Sequence, residues 1–140
     1  MGAWGYGAFD DDTALDFLDA LDTDQDVTAH LQDLLTHATS PEPLTYTVAV
    51  SARAVIALLA EREQPGIIAD DTGREYSHTL ACTMDNTLRD LAVRALDRIL
   101  DPHHNEWHEL SARNGLLEPE IHTECASYRS ALAGKQKNSP

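Results

Sequence analysis

Apolar residues recur three and four apart along Asp85–Leu100, and that spacing commits the stretch to a helix with one buried face. Leu88, Leu91, Ala92, Ala95, Leu96, Ile99 and Leu100 form the stripe; Arg89, Asp90, Arg94, Asp97 and Arg98 fall opposite. Opposite charges three or four apart on the outer face add about 0.2–0.5 kcal/mol per pair. A second stripe, Leu44, Val48, Ala52, Val55, Ile56 and Leu59, predicts a helix over Leu44–Glu63. Ala49, Ala57 and Ala60 on its flank are small enough for a neighbouring helix to approach. Its start, Thr45-Tyr46-Thr47-Val48, is a β-branched run that would also suit a strand.

The same spacing gives helices over Asp12–Leu21, with Leu15 and Leu18 inward and Phe17 and Leu21 on the flank, and over Asp26–Ala38, with Val27, Leu31, Leu34 and Leu35 inward. Shorter helices are predicted over Arg74–Ala81, with Tyr76 and Leu80 inward, and over His103–Arg113. A last one runs from Glu118-Pro119 to Ala133. Thr39-Ser40-Pro41-Glu42-Pro43, Gln64-Pro65-Gly66, Asp101-Pro102 and Asn114-Gly115 break these segments, and Asp70-Asp71-Thr72-Gly73 reads as a turn. The expectation is all-α: one compact bundle of about five to seven helices over residues 1–133, followed by a flexible tail over 134–140.

Ahead of the first helix lies an arm over residues 1–11. Gly2, Gly5 and Gly7 alternate with Trp4, Tyr6 and Phe9, then Asp10-Asp11-Asp12 leads into the helix. Rings of that size each remove about 150–250 Å² from water when buried, so the arm is expected to pack on the helical body. One aspartate would cap the helix and the others would favour its positive end.

This opening resembles the start of a bacterial family known as domain of unknown function 4259. Those proteins begin with a similar Met-Gly-x-Trp-Gly, a Phe-(Asp/Glu)-(Asp/Asn)-Asp and an Ala-Leu-Asp-(Phe/Trp). The matching residues here are Gly2, Trp4, Gly5, Gly7, Phe9, Asp10, Asp12, Ala14, Asp16 and Phe17. The resemblance extends more loosely to Val48–Leu59, to Leu88–Leu100 and to Trp107. It implies a small, soluble, helical bacterial protein; no activity is attached to the family, so no catalytic residues carry over.

Charge is distributed unevenly. The net value is −14, yet residues 1–52 hold ten acids and no Lys or Arg, while residues 53–140 hold fourteen acids and ten bases. A field of that sign argues against binding a nucleic-acid backbone, which requires bases to displace counterions. It favours a basic protein partner, a cation, or solubility alone. No apolar run approaches the ~20 residues of a membrane span, and the N-terminus lacks the basic and apolar regions of a secretory signal. With only Cys82 and Cys125, no disulfide framework is implied, and the expected setting is cytoplasmic.

Two clusters suggest metal chemistry. Asp22-x-Asp24-x-Asp26 opens like a calcium loop, but Val27 stands where the sharp turn wants glycine and Asp33 where a bidentate glutamate belongs. The plainer reading is a solvated joint whose aspartates cap the next helix. His104 and His108, four apart on one predicted helix, could join His122 and Cys125 of the next helix in a zinc site. The plainer reading there is surface histidine and a buried cysteine acting as a small hydrophobe.

No nucleophile motif and no phosphate-binding glycine loop appears, and Gly5-x-Gly7-x-x-Asp10 lacks the third glycine and preceding strand of a dinucleotide fingerprint. No cofactor is implied. The function expected is therefore a non-enzymatic protein-interaction module, for example one neutralising a basic partner such as a toxin. Asp11, Asp16, Asp19, Asp22, Asp24 and Asp26 are its candidate contact residues, with Trp4, Tyr6, Phe9 and Asp12 holding the arm. Two alternatives stay open: a DNA mimic with carboxylates at phosphate-like intervals, and a metal-dependent enzyme using His104, His108, His122 and Cys125. If Trp4 is buried, Trp4→Ala costs about 3–5 kcal/mol by chemical denaturation. An unchanged transition would instead assign the aromatics to a partner surface.

Overall fold

A computed structural model describes residues 12–21, 26–68, 71–80, 82, 84–113 and 119–137. Among the described residues seven helices follow one another: α1 (Asp12–Leu21), α2 (Val27–Ala38), α3 (Tyr46–Glu63), α4 (Asp71–Thr79), α5 (Asn86–Leu100), α6 (Glu106–Arg113) and α7 (Pro119–Lys137). No strand occurs among the described residues, so the all-α expectation holds. The docking of the arm lies outside them.

α3 is the hub. It packs against α1, α2, α4, α5, α6 and α7, and every residue from Ala49 to Glu61 is buried. A helix surrounded in this way needs apolar residues all round rather than along one stripe. It also needs short side chains where neighbours come close, and Ala49, Ser51, Ala52, Ala54, Ala57 and Ala60 supply them. The single stripe expected from the sequence is corrected accordingly, and Val48, expected inward, is only half-buried. The surrounding helices are one-sided. α1 buries Ala14, Leu18 and Leu21; α2 buries Val27, Leu31, Leu35 and Ala38; α5 buries Leu88, Ala92, Ala95, Leu96 and Ile99. Each large aliphatic side chain withdrawn in this way contributes about 1.5–3 kcal/mol before the entropy of ordering is subtracted.

Three boundaries differ from the sequence reading. Asp71, Thr72 and Gly73 are the first turn of α4, not a turn ahead of it. Gly73 and Ser77, one turn apart, are its buried residues. Their small size lets α4 lie close to α3, where the Ser77 hydroxyl faces the Leu58 carbonyl at 3.4 Å; that packing outweighs the local turn signal. α7 continues to Lys137, because one glycine costs only about 1 kcal/mol in a helix and Lys and Gln are good helix formers. Residues 134–137 are thus helical rather than tail.

The third difference concerns the joints ahead of α3 and α6. Leu44 is not helical but forms an isolated parallel bridge with Asn105. Its amide donates to the His104 carbonyl at 2.8 Å and its carbonyl accepts from the Glu106 amide at 2.9 Å. Asn105 is buried; its side-chain oxygen accepts from the His108 amide at 2.9 Å, capping α6, and its NH₂ donates to the carbonyls of Ile99 at 2.7 Å and Asp101 at 2.9 Å. The Glu106 carboxylate in turn accepts from the Tyr46 amide, at 2.7 Å, in the first turn of α3. Asn105→Ala should cost about 2–4 kcal/mol, since a cap is lost and buried carbonyls lose their donor. Asn105→Asp, which keeps the cap but turns a buried anionic oxygen onto the same two carbonyls, should cost at least as much in urea denaturation at neutral pH.

Candidate functional site

A buried ion pair joins α3 to α7 beside α6. Arg53 is only 5% exposed, because it sits in the stretch of α3 that has no side facing water. A charge held there requires a partner. Its guanidinium donates to the Glu124 carboxylate of α7 at 2.8 Å and stands 6.0 Å from the centre of the Trp107 ring on α6, at the outer reach of a cation–π contact. α7 turns Ile121, Cys125, Tyr128 and Leu132 inward, which leaves Glu124 at the edge of that stripe and within reach of Arg53.

The neighbouring titratable groups are held neutral. Burial, reinforced by the Glu124 carboxylate beside it, pushes the Tyr128 hydroxyl far above the usual tyrosine range. Burial also pushes the Cys125 thiol up, with Arg53 opposing only in part. Cys82 is raised by burial against a smaller opposing effect of Arg62. Neither cysteine therefore has the depressed pKa of an activated nucleophile. The cluster is suited to fixing α7 on α3, not to chemistry. The sequence did carry a signal for it: Arg53 is the first base in the chain and interrupts an apolar run.

The described acids of the leading third are exposed at the surface. Asp12, Asp16 and Asp19 are exposed along one face of α1, and Asp26 and Asp33 are exposed on α2. Asp26 caps α2, accepting from the Ala29 amide at 3.2 Å. Asp19 accepts from the Tyr76 hydroxyl of α4. Asp16 and Asp33 accept no hydrogen bond from any described residue. Phe17 of α1 and His30 of α2 meet edge to face at 6.2 Å. Asp11, Asp22 and Asp24, with Trp4, Tyr6 and Phe9, lie outside the described residues.

Each of the eight arginines has a partner at residue 63 or beyond. Arg53, Arg74, Arg89, Arg94, Arg113 and Arg129 pair with Glu124, Asp71, Glu63, Asp90, Glu109 and Asp97. Arg62 donates to the carbonyls of Leu80 and Cys82, and Arg98 to those of Asp101 and His104.

The His/Cys candidates are not arranged as expected. α6 starts at Glu106, so His104 and His108 do not share a helix face. His104 is exposed in the turn before α6, with a positive φ of 46°. His108 is half-buried on α6, His122 exposed on α7 and Cys125 buried. Among the described residues no three of His, Cys, Asp or Glu come together closely enough to hold a metal. Nor, among the same residues, is any helix long and apolar enough to cross a membrane.

The family model described as Domain of unknown function (DUF4259) matches residues 2–121. The chain belongs to the DUF4259 family. The matched span includes Arg53 and Trp107 but ends within the first turn of α7, ahead of Glu124. No curated protein and no solved structure matches this DUF4259 chain.

Glu124→Ala should lower stability by about 3 kcal/mol, because it strands a buried guanidinium. The double change Arg53→Met, Glu124→Leu should recover most of that loss in equilibrium denaturation. Tyr128 gives a pH signature. Its hydroxyl is raised in the folded state, so its contribution is complete below the unfolded value of about 10 and is lost as pH rises beyond it. Tyr128→Phe should flatten that alkaline decline in a pH series of melting curves.

Proposed function

We propose that this DUF4259 protein is a non-enzymatic interaction module that meets a basic protein partner, such as a toxin, through the acidic outer faces of α1 and α2. The observation that carries this reading is the exposure of Asp12, Asp16 and Asp19 along one face of α1, while the arginines have partners at residues 63 and beyond or on backbone carbonyls. Carboxylates displayed on one surface attract a cationic partner over a distance comparable with the screening length and raise the encounter rate. The partner surface is basic, and association weakens as salt rises. Asp16 and Asp33 are the residues to vary, since neither caps a helix or accepts a hydrogen bond among the described residues.

The test is affinity capture from a bacterial lysate with the wild-type chain and with Asp16→Asn/Asp33→Asn, followed by stopped-flow association with the captured protein. The on-rate should fall about tenfold between roughly 50 and 500 mM salt, and severalfold in the double variant at low salt, with the melting curve unmoved. A captured partner without a basic patch, or an on-rate flat across that range, overturns the proposal.

A further inference from the structure

We draw no further inference here: the strongest candidate, the open cleft of about 280 Å³ between α3 and α4 lined by Glu61, Arg62, Pro65, Ser77 and His78, carries nothing, because the charged groups on its wall that would select a ligand are taken up by the fold, Glu61 by the amides of Gly66 and Ile68 and Arg62 by the carbonyls of Leu80 and Cys82.

Discussion

The burial of α3 on every side is the constraint to which the other helices answer. A helix with no water-facing side cannot shed its polar groups into solvent, so each must be met by protein. Arg53 and Glu61 are the two ionisable residues within the buried run. Glu124 reaches in from α7 to meet the first. The second is met by the chain's own return: both Glu61 oxygens accept backbone amides, from Gly66 at 2.8 Å and Ile68 at 2.9 Å. Gly66 adopts a positive φ of 97° there, a conformation that glycine takes without the steric cost other residues bear.

This arrangement divides the polar residues by task. Those near α3, α5 and α7 are consumed in holding helices together: Arg89 bridges to the mostly buried Glu63 with its Nε at 2.9 Å, and Arg129 to Asp97 at 2.9 Å. α1 and α2 give the core only apolar side chains. Their carboxylates are left pointing outward, where exposed charge contributes little to stability and mainly shapes the field around the molecule. An acidic face costs the fold little, and so it is free to be used for recognition.

Much of this architecture was legible in the sequence because amphipathic helices announce themselves by spacing. α1, α2 and α5 came out within a residue of their expected bounds, with Asp26 and Asp85 as caps rather than first residues. α3 was harder to read. Its bounds were nearly right, but a helix buried all round has no periodicity to reveal which side is inner. Periodicity therefore selected one stripe from a cylinder that is uniformly covered. The Asp-Thr-Gly signal at the start of α4 and the histidines around the start of α6 misled for a common reason. Local preference is weak beside a tertiary contact, Gly73 against α3 in one case and Asn105 beneath the α5–α6 joint in the other. The Arg53–Glu124 pair spans 71 positions, a separation at which no single-sequence pattern speaks. The resemblance at the N-terminus gave the family correctly, while the docking of that arm lies beyond the described residues.

The meeting of the two joints has a bearing on how the chain assembles. The first turn of the central helix has a local cap, Thr45 accepting from the Val48 amide at 3.3 Å, but its Tyr46 amide is met by Glu106, 60 positions later. Closing so long a loop carries an entropic cost that the contact itself repays only afterwards. During synthesis, therefore, the middle of the hub has early neighbours in α1 and α2, whereas its leading end waits for just over three-quarters of the chain to emerge. α7 is the last of the described helices along the chain, so Arg53 has no Glu124 carboxylate to pair with until that helix has emerged.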